Sequence, residues 1–149
     1  MCDEMVDILA EFEEPAKSFA PPEEGARVYI AGPMSGYPLY NFPMFFTAAM
    51  VLRDAGWIVE NPAEHDMAMG VDPTKPLKEQ KFRVTREDLL TKDFRIIGLS
   101  TDVVFLPGWE ASEGARAERV VAAYTGRRMW LWTETGLERD DRPLPVISV

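Results

Sequence analysis

Residues 106–118, with the sequence LPGWEASEGARAE, contain the pattern that decides the fold. They overlap the end of an apolar run, DVVFL at residues 102–106, which is typical of a buried parallel strand. The strand pattern ends at Pro107 and Gly108, and a helix is predicted to begin at Ser112, a good N-cap residue. A strand, a glycine-containing turn and a helix N-terminus predict an anion site at the carboxyl edge of an open sheet.

Glu118 is the polar residue of this helix that most needs an explanation. It shares one helix face with Ala115, Val121 and Ala122, at spacings of three and four, so its carboxylate should point toward the sheet. Gly114, in the first turn, has no side chain and would let a ligand approach the backbone. An inward carboxylate beside a predicted anion site therefore indicates a functional site.

Asp93 poses a similar question on the preceding predicted helix, which begins after Thr85 and ends near Gly98. It lies within an apolar stripe formed by Leu89, Ile96 and Ile97. A buried aspartate is costly unless it is paired, and burial raises its pKa. An aspartate at the edge of a stripe is also common in structural roles, so the stripe alone leaves both interpretations open.

The other segments alternate between strand and helix patterns, so a flavodoxin-like or Rossmann-like fold is predicted, a doubly wound parallel sheet of four to five strands in one domain. Strand patterns cover residues 27–31, 57–60, 102–106 and 127–132, and a helix pattern runs from Asn41 or Phe42 to about Ala55. Residues 61–82 are predicted to be irregular, as a lid or a partner-contacting loop. The closing residues 146–149 could add a fifth strand or dock on a neighbour.

Charge separates the chain into two parts. The net charge is −9, and residues 1–24 hold eight acidic residues against Lys17 alone. We interpret residues 1–25 as an acidic N-terminal arm and residues 26–149 as the domain. The acidic balance argues against DNA or RNA polymers as partners, but the nearly neutral domain can still bind a small anion.

Composition removes several other classes of function. Cys2 is the single cysteine and His65 the single histidine, so a cysteine-based zinc site is excluded, and we expect His65 to be a loop residue. The chain has no GxGxxG or Walker A pattern, and we predict no metal and no cofactor. There is no apolar run long enough for a membrane span and no apolar segment of a secretory signal at the N-terminus, so we expect a cytoplasmic protein.

Three motifs, taken in this order, resemble the nucleoside 2'-deoxyribosyltransferase superfamily, and most closely its small, mostly phage-borne branch. They are YIAGP at residues 29–33, Asp93 on the helix before a buried strand, and the spacing of Ser112, Gly114 and Glu118. The resemblance covers about residues 27–132 and implies a five-stranded flavodoxin-like sheet, no metal and chemistry at an N-glycosidic bond. It also implies a bacterial or phage-infected host cell and a homo-oligomer.

The resemblance implies three catalytic residues. Glu118 is similar to the nucleophile, Asp93 to the acid that holds and protonates the nucleobase, and Tyr29 to the tyrosine that orients the nucleophile. Further contacts to the substrate are expected from the loops and the helix start: Gly32, Pro33, Met34, Ser35, Gly36, Asn41, Gly108, Trp109, Ser112, Gly114 and Arg116.

Ser112 indicates which substrate to expect. The nucleoside transferases of this superfamily carry an aspartate at that position, whereas its nucleotide hydrolases carry serine. A serine at a helix N-terminus can donate a hydrogen bond to a phosphate, so we expect a nucleoside 5'-monophosphate. Glu113 opposes this interpretation unless it turns to solvent, and Arg116 could offset its charge.

Cleavage of an N-glycosidic bond requires one ionised carboxylate at C1' and a second acid that donates a proton to the base. Glu118 can attack C1', and Asp93 can donate, if the two groups lie within roughly 5–10 Å. Hydrolysis, transfer to a second base and binding without turnover all remain open. An interaction protein that uses the acidic arm is a further alternative.

Overall fold

The computed structural model describes residues 17–81 and 85–143. It contains five strands: β1 (Arg27–Ala31), β2 (Ile58–Glu60), β3 (Asp102–Phe105), β4 (Arg128–Thr133) and β5 (Gly136–Arg139). It contains four α-helices: α1 (Phe42–Asp54), α2 (Pro62–Ala68), α3 (Arg86–Gly98) and α4 (Glu113–Tyr124). Three short 3-10 turns occupy Pro38–Asn41, Leu77–Glu79 and Trp109–Ala111.

The strands form one sheet in the order β2-β1-β3-β4-β5. The first four strands are parallel, with Tyr29 of β1 opposite Val103 of β3, while β5 runs antiparallel to β4. The prediction of a flavodoxin-like α/β domain is confirmed. β5 lies where no strand was predicted, because a short turn after Thr133 returns the chain directly along β4, and the possible strand at residues 146–149 stays a prediction. Residues 144–149 lie outside the described residues.

Side chains alternate between the two faces of the sheet and bury two cores. Val28 and Ile30 of β1 pack in the core with α1 and α2, whereas Tyr29 and Ala31 pack in the core with α3 and α4. The sheet therefore separates two helical layers, and residues that follow β1 and β3 emerge between them. In the part of the chain that is described, no helix is both long and apolar enough to cross a membrane.

The predicted helix starts are confirmed by their caps. The Ser112 hydroxyl accepts a hydrogen bond from the Ala115 amide, and the Thr85 hydroxyl accepts one from the Asp88 amide. The prediction that residues 61–82 are irregular is wrong in part, because this stretch contains α2 and the turn at Leu77–Glu79. Asn61 caps α2 by accepting a hydrogen bond from the Ala63 amide, and Pro62 occupies the first position of that helix.

The described part of the predicted N-terminal arm packs on the domain. The Trp57 indole donates to the Phe19 carbonyl at 2.6 Å, and the Leu137 amide donates to the Ser18 carbonyl at 2.9 Å. The Phe19 ring also lies 4.7 Å from the ring of Trp132. Residues 17–25 are therefore anchored beside both edge strands, and residues 1–16 lie outside the described residues.

Candidate active site

A cavity of about 680 Å³ opens at the carboxyl edge of the sheet, a volume typical of small-molecule sites. Loops that follow β1 and β3 form its floor, at the point where the strand order reverses. Nine of the residues predicted as site residues line it: Gly32, Pro33, Met34, Ser35, Asp93, Gly108, Ser112, Gly114 and Glu118. The location at this switch point makes the cavity the candidate active site.

The two floor loops touch each other so closely that glycine is required on both. A side chain at Gly32 would place its Cβ 2.9 Å from Cβ of Leu106. Gly108 has a φ of 88°, and a Cβ there would lie 2.6 Å from the Tyr37 hydroxyl. These contacts hold the loop after β1 and the loop after β3 at fixed positions beside the cavity.

Glu118 projects from α4 into the floor of the cavity and is only 6% exposed. The Tyr29 hydroxyl donates a hydrogen bond to Glu118 Oε2. Tyr29 is buried on β1 beneath Glu118 and does not line the cavity. Its geometry fits a residue that orients the carboxylate without touching a ligand.

Asp93 lines the same cavity from α3, with 14% of its side chain exposed. Among the described residues, its Oδ1 atom is buried and has no hydrogen-bond partner. An unpaired buried acceptor is costly, and a ligand that donates a hydrogen bond would remove that cost. Burial raises the pKa of Asp93 to about 6, opposed mainly by the positive charge of Lys92.

Burial also raises the pKa of Glu118, to about 8, against the lowering effect of the Tyr29 hydrogen bond. The two pKa values thus rank opposite to the predicted roles, in which Asp93 carries the proton. The negative charge of Asp93 also raises the pKa of Glu118, and both acids raise the pKa of Tyr29. Between about pH 6 and pH 8 the pair holds one proton.

The N-terminus of α4 faces the cavity with Ser112 and Gly114. Glu113 also lines the cavity, with 70% of its side chain exposed, and it binds Nη2 of Arg86 at 2.9 Å. We expected Arg116 to offset the Glu113 charge, and the structure gives that role mainly to Arg86, whose hydrogen bond lowers the pKa of Glu113. Arg86 lines the cavity and Arg116 does not.

Four residues of the predicted substrate-binding set lie outside the cavity lining: Gly36, Asn41, Trp109 and Arg116. Asn41 supports the site indirectly, because its amide donates to the Pro33 carbonyl at 3.0 Å. Trp109 is buried against Phe105, with the Arg119 guanidinium 5.7 Å from its ring centre. Gly36 and Arg116 are exposed to solvent, whereas Trp109 is turned into the core, so none of the three faces the cavity.

Several residues that line the cavity were not predicted from the sequence, chiefly Asp66 and the two tyrosines Tyr37 and Tyr40. Asp66 belongs to α2, inside the stretch predicted to be irregular. Tyr40 lies in a left-handed turn in which residues 39–41 all have positive φ, and its hydroxyl donates to the Lys75 carbonyl at 2.6 Å. Three consecutive non-glycine residues in this conformation leave no signal in the sequence.

The described residues, 17–81 and 85–143, contain no group of three or more histidine, cysteine, aspartate or glutamate side chains arranged to hold a metal ion. Comparison with curated proteins gives no match, and comparison with solved structures gives none. One family model matches residues 26–130, which is more than half of the chain and contains every cavity-lining residue. The chain belongs to the family described as Domain of unknown function (DUF4406).

Proposed function

We propose that this protein is an N-glycosidase of nucleoside 5'-monophosphates, acting through a covalent intermediate on Glu118. The observation that carries the proposal is the meeting of Glu118 and Asp93, from two neighbouring helices, in one cavity with Tyr29 bonded to Glu118. A cytoplasmic location and the likeness to the nucleoside 2'-deoxyribosyltransferase superfamily belong to the same proposal.

In this mechanism the Glu118 carboxylate attacks C1' of the sugar as the N-glycosidic bond breaks. The electron pair of that bond goes to the departing base, and Asp93 donates its proton to the base. The resulting glycosyl ester of Glu118 is then hydrolysed by water, with Asp93 accepting a proton from it. The first step requires a proton on Asp93 and an ionised Glu118, whereas the raised pKa of Glu118 favours the proton on Glu118 in the protein without ligand.

The preference for a monophosphate is supported by the N-terminus of α4. Ser112 and Ser35 both line the cavity, where their hydroxyl groups can donate hydrogen bonds to a phosphate. Glu113 lines the cavity as well and opposes an anion, but it is paired with Arg86 at 2.9 Å. A phosphate that enters here would therefore compete with Glu113 for the Arg86 guanidinium.

Binding without turnover is the second candidate, and the raised pKa of Glu118 favours it. A protonated glutamate is not a nucleophile, and at pH 7 burial favours the neutral form of this side chain. Catalysis therefore requires that the bound substrate moves the shared proton to Asp93. A sequestering protein requires no such transfer and would return its ligand intact.

The test is a chromatographic screen of ribo- and deoxyribonucleoside monophosphates for release of free base at pH 7. We expect one or a few nucleotides to release base, and Glu118→Ala to abolish release. Glu110→Ala is the matched control, because Glu110 is an exposed glutamate of the Trp109–Ala111 turn outside the cavity.

A panel that gives no base and no exchange with an added second base would exclude the enzyme. Recovery of intact nucleotide from a tight complex would then support the sequestering protein. Appearance of a new nucleotide when a second base is added would identify a transferase. The homo-oligomer stays a prediction, which sedimentation of the full chain would test.

A further inference from the structure

An ion pair between Asp66 and Lys92 bridges the two helical layers at the edge of the cavity. The Lys92 ammonium lies 2.6 Å from Asp66 Oδ1, with 8% of the Asp66 side chain and 23% of the Lys92 side chain exposed. Asp66 is on α2, in the layer that contains α1, whereas Lys92 is on α3, in the opposite layer. Asp66 also lines the cavity itself.

The same ammonium stops short of Asp93. Lys92 Nζ lies 3.6 Å from Asp93 Oδ1, beyond hydrogen-bond distance, and within the described chain this oxygen has no other hydrogen-bond partner. Lys92 and Asp93 are neighbours on one helix, so a small rotation of the lysine would join them. The hydrogen bond to Asp66 holds the ammonium away from that position.

These charges act on the catalytic pair in opposite directions. The positive charge of Lys92 lowers the pKa of both Asp93 and Glu118, while the negative charge of Asp66 raises both. The titratable groups that act on Asp93, Glu118 and Asp66 come from every adjoining element: Tyr29 on β1, His65 and Asp66 on α2, Lys92 and Asp93 on α3, and Glu118 on α4.

We infer that Asp66 is a positioning residue that keeps the Lys92 ammonium from closing its 3.6 Å approach to Asp93, so that Oδ1 of Asp93 stays free to hold the base. The catalytic meaning of this inference rests on the proposed function. Its physical content does not, because the protonation of Asp93 and Glu118 can be measured without any substrate.

The experiment follows the side-chain carboxyl carbons of ¹³C-labelled Asp93 and Glu118 by NMR through a pH titration of the full chain. Asp66→Asn releases Lys92 to Asp93 and should move both midpoints about 1 pH unit lower. Lys92→Gln removes the cation and should move both about 1 unit higher. The double variant, which is neutral at both positions, should return close to the unmodified protein.

A bridge that only ties α2 to α3 predicts a different result. Both single variants would then lose thermal stability, and neither midpoint would move in a direction set by the charge removed. Glu64→Gln is the matched control, because Glu64 is a half-buried carboxylate of α2 outside the cavity lining, paired with Arg53 at 2.7 Å and with the Asn61 amide at 3.1 Å. It should leave both midpoints within about 0.2 unit. If Asp66→Asn does not fold, the upward shift in Lys92→Gln decides alone.

The pH profile of base release separates this inference from the proposed function. Asp66→Asn should move the window of activity to lower pH and Lys92→Gln to higher pH. Opposite midpoint shifts without base release from any nucleotide would refute the enzyme and leave the control of protonation intact. Midpoints that stay fixed, or that shift together in the two single variants, would overturn the inference whether or not base is released.

Discussion

The two ends of the sheet treat a buried carboxylate in opposite ways. At the amino edge, Asp102 is fully buried and accepts four hydrogen bonds within the described chain. Two come from Arg128 at 2.9 and 2.8 Å, one from the Trp130 indole at 2.8 Å and one from the Thr101 hydroxyl at 2.6 Å. Donors therefore satisfy this carboxylate on both oxygens.

At the carboxyl edge the buried carboxylates have fewer hydrogen-bond donors. In the part of the chain that is described, Glu118 accepts one hydrogen bond, from Tyr29, and Asp93 Oδ1 accepts none. Burial raises the pKa of both acids as a result. The difference shows that burial of an acid does not indicate function by itself. A buried acid becomes a candidate for function when it lies beside a cavity and lacks a full set of hydrogen-bond donors.

The largest expected effect is a loss of base release on substitution of Asp93, the acid at the carboxyl edge of the sheet. Asp93→Asn removes the proton donor of the proposed reaction and should lower base release by about 10³-fold. Nucleotide affinity should change far less, because the amide keeps an oxygen and adds an N–H group. Release is measured as single-turnover kinetics and affinity by calorimetry.

Asp88→Asn is the control for this variant, since Asp88 lies on the first turn of the same helix, is exposed and does not line the cavity. If the Asp93→Asn protein releases base at the normal rate, Asp93 is not the proton donor. Asp93 would then be a structural acid, as Asp102 is at the amino edge.

Asp102→Asn should show the opposite profile. It leaves Arg128 without its carboxylate partner and should lower the free energy of unfolding by about 3 kcal/mol. Activity per folded molecule should stay unchanged, because Asp102 lies at the amino end of β3, away from the cavity lining. Urea denaturation of Asp102→Asn and Asp93→Asn measures the comparison directly. Equal losses in the two variants would contradict it.

Sequence alone could not have told Asp102 from Asp93. Both acids lie next to apolar residues in predicted core elements. The apolar stripe of its helix left the role of Asp93 open, the resemblance then made it a candidate acid, and nothing assigned a role to Asp102. The partners that settle the role of Asp102 are Arg128 and Trp130, which follow it by 26 and 28 residues and meet it only when β3 pairs with β4. Long-range pairing of this kind carries no local signal.

Features with a local cause were predicted well. The doubly wound, mostly parallel sheet follows from the alternation of strand and helix patterns, and the helix starts at Thr85 and Ser112 follow from their caps. The inward direction of Glu118 follows from helical spacing. Features made by contacts between distant segments were missed, among them the bridge from Asp66 to Lys92 and the pairing of Glu113 with Arg86.

The pH dependence of the free energy of unfolding is a third measurement that distinguishes Glu118, at the carboxyl edge of the sheet, from Asp102, at the amino edge. The pKa of Glu118 is raised in the folded state, so its contribution to stability is complete below about pH 4 and is lost as pH rises through about 8. Glu118→Gln should remove this loss and be more stable than the unmodified protein by about 2 kcal/mol at pH 9. Asp102→Asn should remain less stable at that pH. Chemical denaturation at pH 5, 7 and 9 measures both differences.

The smallest expected effect concerns Gly114, where stability and binding should move in opposite directions. Gly114 is helical, and a Cβ there would meet only Leu90 at 3.9 Å and the Ser112 hydroxyl at 4.0 Å, both ordinary contacts. Gly114→Ala should therefore stabilise α4 by about 0.5–1 kcal/mol. Because Gly114, Leu90 and Ser112 all line the cavity, the added methyl group should also weaken nucleotide binding several-fold.

Gly98→Ala, near the end of α3 and with open space around its Cβ, is the matched control for helix stability without a change in binding. If the Gly114→Ala protein gains stability and binds nucleotide as tightly as before, the ligand does not approach the N-terminus of α4. The proposed phosphate site would then be wrong, whereas the roles of Glu118 and Asp93 would be unaffected.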